Sequence, residues 1–410
     1  MPYIQRAITP ILKQRVSTSK CMLLVGARQV GKSTLIKHEF EDFNRANFDD
    51  RLTRMQAKEE PKLFFLNNPK PLFIDEVQKE SSILEDIKQI VDESDERGMF
   101  ILSGSQKLEL MKGMSESLAG RVSISELTGL SMREIYGVKF NRHFIPTDEY
   151  IKEREKEIVK YDNLWEIIHK GSYPELYDID RDWQEYYSSY VATYLERDIN
   201  ELVATDGITF TKFLTAVAAR TGELLNYSNI AGEVGVSEPT IKNWISILER
   251  TGIVYLLQPY SASALKRAIK TPKLYFRDTG LACYLTRWLT ADTLKCSAVA
   301  GNMFETFVVS EILKSYTNEG KDYRFNIFYY RGKDRNASGE NEIDLVIEED
   351  GVLYPIEIKM SGNPKASMGA TNQVLDKVSD KKRGLGVILC LIDKKTYLRE
   401  NLVALPIEFI

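Results

Sequence analysis

The sequence predicts an α/β chain in three parts: a parallel-sheet domain first, a helical and winged-helix middle, and a smaller C-terminal α/β domain. Three observations predict it. The stretch Gly26-Ala27-Arg28-Gln29-Val30-Gly31-Lys32-Ser33-Thr34 fits G-x-x-x-x-G-K-[ST] and lies between an apolar run and a helical run. A helix, turn, helix, strand pattern follows at 227–257, and an apolar hairpin at 340–359 carries carboxylates and a lysine.

Size and composition set the frame. A chain of 410 residues is too long for one ordinary core, and 43% hydrophobic with 28% charged residues is globular composition. Apolar runs stay short of the roughly 18 residues a membrane helix needs. Residues 1–16 form an amphipathic segment with Arg6, Lys13 and Arg15 rather than a signal peptide, so a cytoplasmic chain without membrane contact is expected. Cys21, Cys283, Cys296 and Cys390 make no C-x-x-C pair, and His38, His143 and His169 are the only histidines, which argues against cysteine or histidine metal centres. A net charge of -4 excludes a surface wholly built to coat nucleic acid, but leaves room for a local patch.

The glycine stretch is the firmest signal. Residues 21–25 read as a buried strand and 34–40 as a helix, the context in which backbone N–H groups cradle phosphates. Lys32 would reach the β- and γ-phosphates of ATP or GTP, and the Ser33 hydroxyl would ligate Mg²⁺. A second apolar run, 71–74, ends in Asp75-Glu76, where Asp75 would hold Mg²⁺ through water and Glu76 would polarise the attacking water. A third strand at 99–102 runs into Ser103-Gly104-Ser105-Gln106, placing Ser103 or Ser105 as a γ-phosphate sensor at the carboxyl end of the sheet. Arg121 follows Gly120 and is either a transition-state guanidinium or a surface salt bridge. Between them, 79–96 reads as a solvated amphipathic helix with Ile83, Leu84, Ile87, Ile90 and Val91 inward.

These motifs resemble a prokaryotic family of P-loop ATPases related to the AAA-type and STAND nucleotide switches. The likeness is carried by the glycine stretch, Phe73-Ile74-Asp75-Glu76-Val77-Gln78, Leu102-Ser103-Gly104-Ser105-Gln106 and Ser117-Leu118-Ala119-Gly120-Arg121. It continues in Gly171-Ser172-Tyr173-Pro174-Glu175 and Tyr194-Leu195-Glu196-Arg197-Asp198-Ile199. The resemblance implies a RecA/AAA-like sheet, ATP rather than GTP, and a C-terminal domain of uncertain function.

The middle reads as helical and charged from 150 to 206. Residues 227–234 form a short helix, Gly235 and Val236 a turn, and Ser237 the N-cap of a second helix with Ile241, Trp244, Ile245 and Leu248 on one face. A strand at 253–257 completes a winged helix-turn-helix. Its second helix exposes Lys242, Asn243, Glu249 and Arg250, of mixed charge; it either reads DNA or serves as an internal lid, as in the STAND-type proteins it resembles. The basic stretch 266–273 either contacts phosphates or is a solvated linker.

In the last third, 340–347 and 352–359 form a hairpin around Glu349-Asp350-Gly351. Alternation puts Glu357 and Lys359 on one face, and Asp344 on the partner strand can meet them. Two carboxylates sharing a divalent cation, with a lysine beside them, can cleave phosphodiesters. The pattern resembles PD-(D/E)xK nucleases, with Ile343 standing in place of the proline. The helix at 301–311 supplies Glu305, the acid such folds place on their first helix. The same residues are also compatible with an ordinary cross-strand Glu–Lys pair.

The expected organisation is an AAA-type ATPase domain (1–140), a helical connector (141–206), a winged helix (207–262) and a PD-(D/E)xK-like domain (263–410). The expected function is Mg²⁺-dependent ATP hydrolysis switching a nuclease-like domain. The alternatives are an ATP-gated adaptor for nucleic acid or a protein partner, and a plain ATPase with a decayed C-terminal domain. DNA or RNA and a second copy of the chain are the further expected partners; Arg121 would need such a copy only if it acts in trans.

Overall fold

The computed structural model describes residues 3–104, 118, 120–178, 181–199, 205–261, 271–333, 340–378 and 380–410, with side chains at all of these but 196–199, 333 and 340. Ser105, most of the basic stretch (266–270) and the side chains of the Glu196-Arg197-Asp198 motif lie outside the described residues.

The N-terminal sheet is parallel throughout. Its strands are β1 (Cys21–Val25), β2 (Asn44–Asn47), β3 (Leu72–Asp75), β4 (Phe100–Gly104) and β5 (Val122–Glu126), in the order β2-β3-β4-β1-β5. Parallel strands need apolar cover on both faces, and the runs supply it. Met22, Leu24, Phe73 and Ile101 enter one buried cluster, while Leu23, Val25, Ile74 and Leu102 enter another. The helix Ile83–Asp92 covers the second cluster with Ile83, Leu84, Ile87 and Val91; Ile90, expected inward, is only half-buried at the helix edge.

The helices Asp148–Arg154, Leu164–Lys170 and Trp183–Tyr190 follow, the last continuing as a π-helical stretch, Val191–Ile199. Next come the helix Gly207–Ala218, β6 (Glu223–Leu224), the helices Tyr227–Val234 and Glu238–Arg250, β7 (Val254–Leu257) and β8 (Lys273–Phe276). Gly235, in the left-handed region at φ 86°, ends the first helix of the pair, and the Ser237 side chain caps the second. Strand β8 lies beyond residue 262, yet it pairs antiparallel with both β7 and β6, so this three-stranded sheet reaches across the boundary drawn from the sequence.

The C-terminal unit packs the helix Ala300–Asn318 on a mixed sheet of β9 (Ile327–Lys333), β10 (Glu340–Glu349), β11 (Val352–Lys359), β12 (Lys382–Arg383), β13 (Gly386–Cys390), β14 (Thr396–Arg399) and β15 (Leu402–Pro406). The order is β14-β15-β13-β11-β10-β9, with β12 on β11. One apolar cluster runs from Leu24 of the first sheet through Tyr187 and Trp244 to Val403 of the last. The three parts therefore share a core. Among the described residues, no helix is long and apolar enough to cross a membrane.

Candidate functional sites: the nucleotide cleft and the acidic cluster

The first cleft forms where β1 turns into the helix Lys32–Glu39. Gly31, at φ 92°, adopts the left-handed conformation this turn requires. Arg28, Gln29, Gly31, Lys32, Ser33 and Thr34 line the cleft. The Val30 side chain instead turns into the core, 3% exposed. Lys32 Nζ donates to the carbonyls of Gly26 and Ala27, both at 2.9 Å. Burial lowers its pKa to about 8, against the pull of Glu76 and Asp75 and with the push of Arg28. A buried ammonium satisfied only by two carbonyls of its own loop is suited to exchange them for phosphate oxygens.

Asp75 ends β3 and is 7% exposed. Its Oδ1 accepts from Ser103 Oγ on the neighbouring strand β4 and from the Glu76 N–H at 3.2 Å. Glu76 stands at φ 54° and accepts from Gln78 Nε2 while lining the cleft. Ser33 and Glu76 line the same cleft as Lys32, while Asp75, the other donor expected for an ATP-bound Mg²⁺, is set back at the end of β3, a position that fits contact through water. Arg121 does not join them. It precedes Val122, which pairs with Cys21, the first residue of β1, while the P-loop follows Val25, the last. Because β1 and β5 are parallel, Arg121 lies at the opposite end of the sheet from Lys32, where it pairs with Asp92.

Side chains from outside the glycine stretch brace the cleft. Arg6 is 3% exposed and donates to Glu134 at 2.9 Å, to the Val30 carbonyl at 2.8 Å and to the Thr128 carbonyl at 2.7 Å, pinning the glycine loop to the chain after β5. Pro174 and Glu175 enter from the middle of the chain. The Arg28 guanidinium lies 5.2 Å from the Tyr194 ring centroid. The family motifs at 171–175 and 194–199 were the sequence signal for this approach.

The second cluster is built by the β10–β11 hairpin, whose turn residues Asp350 and Gly351 have φ 50° and 77°. Leu345 pairs with Ile356, which sets Asp344 opposite Glu357. The register against β9 slips by one residue between Ile343 and Val346, a bulge at Asp344 and Leu345. Lys359 Nζ lies 2.8 Å from Asp344 Oδ2 and 2.8 Å from Glu357 Oε2, and the Ile358 N–H donates to Asp344 at 2.8 Å. Burial, then the Asp344 charge, raise the Glu357 pKa to about 8.

Glu305 joins the cluster from the helix Ala300–Asn318. Its carboxyl is raised by burial and by Asp344 and held by Tyr275 Oη at 2.6 Å and Lys273 Nζ at 3.3 Å. Lys273 also pairs with Glu342 at 2.6 Å. Lys273 read only as the end of a basic stretch, and nothing in the sequence marked Tyr275. Among the described residues no three His, Cys, Asp or Glu side chains are grouped to hold a metal ion. Asp344 and Glu357 form a pair, and Glu357 Oε1 is buried with no hydrogen-bond partner, so these two carboxylates fit a cation completed by water.

Residues 18–136 match the family model described as AAA domain. Residues 161–292 and 300–410 match two models described as domain of unknown function (DUF8612 and DUF4143). The uncharacterized proteins Rv2008c of Mycobacterium tuberculosis and Mb2031c of Mycobacterium bovis are each 27% identical over 375 residues, spanning 89% of this chain and 76% of theirs. Among solved structures, a RuvB variant of Thermotoga maritima is 16% identical with a TM-score of 0.28, over 60% of this chain and 85% of that one. A STAND protein with a tetratricopeptide repeat sensor from Pyrococcus horikoshii is 10% identical with a TM-score of 0.26, over 77% and 47%. The N-terminal unit with its P-loop thus matches an AAA domain model, and the two units that follow match models with no assigned function.

Proposed function

We propose that the chain is a Mg²⁺-dependent ATPase whose nucleotide state governs a phosphodiester-cleaving site in its C-terminal unit. The observation that carries the reading is the convergence of Asp344, Glu357 and Lys359, at 2.8 Å contacts, in the same chain as a P-loop whose Lys32 shares one cleft with Glu76, next to Asp75 at the end of β3. In the nucleotide cleft Lys32 and Ser33 would bind the phosphates and their Mg²⁺, Asp75 would hold that ion through water, Ser103 would sense the γ-phosphate, and Glu76 would orient the attacking water. In the second site a divalent cation supplies Lewis-acid polarisation of the phosphate. Asp344 and Glu357 would hold it, Lys359 would steady charge on the phosphate oxygens, and Glu305 would orient water beside them.

The winged helix serves as an internal module. Gly252, at the end of its second helix, packs on the glycine loop, where a Cβ would lie 3.7 Å from that of Ala27. Lys242, one of the two cations exposed on that helix, is paired with Glu238 at 2.7 Å. Both favour the lid over a groove-reading helix.

The test combines ATP turnover with nicking of plasmid DNA and of RNA, in Mg²⁺ or Mn²⁺, with and without ATP. Lys32→Ala should lose turnover and Asp344→Asn should lose nicking. A wild type that hydrolyses ATP yet nicks neither polymer leaves the adaptor reading, which is favoured by Lys359 neutralising both carboxylates in this state.

A further inference from the structure

Six consecutive residues, Lys273 to Asp278, run from the Glu305 carboxylate to the nucleotide sheet. Side chains two apart on a strand share a face, so Lys273 and Tyr275 of β8 reach the same carboxylate, Glu305. Lys273 is 4% exposed there. At the other end, Arg277 pairs at 2.9 Å with Glu126, the last residue of β5 in the nucleotide sheet. Asp278 accepts from the Ser172 N–H at 2.6 Å, Ser172 Oγ at 2.8 Å, Tyr187 Oη at 2.7 Å and the Leu281 N–H at 2.7 Å.

Two routes lead from Asp278 to the glycine loop. Ser172 begins the turn that carries Pro174, and a Cβ on Gly31 would lie 3.8 Å from Pro174. Gly171 completes this contact: a Cβ there would fall 2.7 Å from the Asp278 carboxylate, so only glycine lets the turn approach. The second route is aromatic. Arg28 lies over Tyr194, whose ring is 5.3 Å from Tyr190; Tyr190 is 4.9 Å from Tyr173, and Tyr173 is 6.0 Å from Tyr187, which donates to Asp278.

We infer that β8 and its Arg277-Asp278 corner carry the nucleotide state of the cleft to Glu305, with Asp278 as the positioning residue at the junction. The inference rests on the switch reading above. Phosphates drawing Lys32 and Arg28 forward would move the Pro174 turn and Tyr194. Packed interiors shift as units rather than deform, and Asp278, two residues past the end of β8, ties both movers to that strand. Beside the corner lies a small cavity of about 40 Å³ lined by Ala27, Val30, Ser172, Arg277, Asp278 and Lys314.

The test is amide hydrogen exchange on the full chain, with and without a non-hydrolysable ATP analogue and Mg²⁺, alongside equilibrium titration of that analogue. In the wild type, exchange should change about threefold or more at 273–278 and 300–311 on binding. In Asp278→Asn the analogue should still bind and the glycine-loop peptides respond, while the response at 300–311 is lost. Tyr187→Phe, which removes one of the four bonds, should weaken the same response and serves if Asp278→Asn does not fold. A bound wild type without a response at 300–311, or an undiminished response in the variants, overturns the inference alone. A wild type that binds no nucleotide overturns the switch reading and this inference with it.

Discussion

Lys359 Nζ stands 2.8 Å from Asp344 Oδ2, a contact between residues fifteen apart that the β10–β11 hairpin makes neighbours. The same carboxylate oxygen accepts the Ile358 N–H, so Asp344 both binds the lysine and closes the hairpin. Asp344→Asn keeps an acceptor and removes the charge: nicking should vanish while the thermal midpoint stays within a few degrees. Asp344→Ala leaves a buried N–H unpaired and should cost about 1–3 kcal/mol in denaturant titration.

Lys32 gives a pH dependence to nucleotide binding. With its pKa lowered to about 8 by burial, the ammonium that phosphates require is present below that value and lost above it. Affinity for an ATP analogue should be full at pH 7 and about tenfold weaker at pH 9, as one titrating cation dictates. Lys32→Ala should abolish binding at both.

Ser103→Ala removes the hydroxyl that donates to Asp75 and would meet the γ-phosphate. The analogue should bind near wild-type affinity while turnover falls about 10- to 100-fold, the usual cost of one positioned donor. Titration and steady-state phosphate release separate the two.

His143 clasps the C-terminal unit to the chain after the nucleotide domain. Burial disfavours its charge, but hydrogen bonds to Glu319 and Glu349 outweigh this and raise its pKa. Its bond to Glu349 depresses that carboxyl to about 2. The histidine contribution is full below its unfolded value near 6.5 and is lost as pH rises through the raised folded value. The Glu349 contribution is full above its unfolded value near 4.3 and is lost as pH falls toward 2. The difference in thermal midpoint between wild type and His143→Gln should therefore peak near pH 5–6 and shrink toward pH 9.

Arg121 lies away from the cleft of its own chain. Arg121→Ala should leave turnover unchanged in dilute protein; a loss that appears only as protein concentration rises would assign it to a neighbouring copy.

The elements with local signals were legible. The helix Tyr227–Val234 has the bounds its sequence announced, because Gly235 and Ser237 mark its end and the next beginning through their own backbone chemistry. The hairpin was legible for the same reason. Arg6 was not: in sequence it is one cation of an amphipathic segment, whereas in the fold it is buried beneath the glycine loop. Arg121 shows the same gap, since a Gly-Arg pair does not say which end of a strand it occupies. Lys273 and Tyr275 were invisible because their partner, Glu305, lies about thirty residues away on another element.

By itself the sequence determined the parts: a glycine loop on a buried strand, an acidic strand end, a capped helix pair and a hairpin with Asp344, Glu357 and Lys359. Each is written within a few residues, where backbone preference and side-chain period act directly. Tertiary structure decided how the parts meet. It put Arg121 at the far end of the sheet, bulged β10 at Asp344, and joined Lys273 on β8 to Asp278 at the corner just after it. Those relationships depend on how apolar faces pack across the shared core, and packing pairs residues that no local pattern relates.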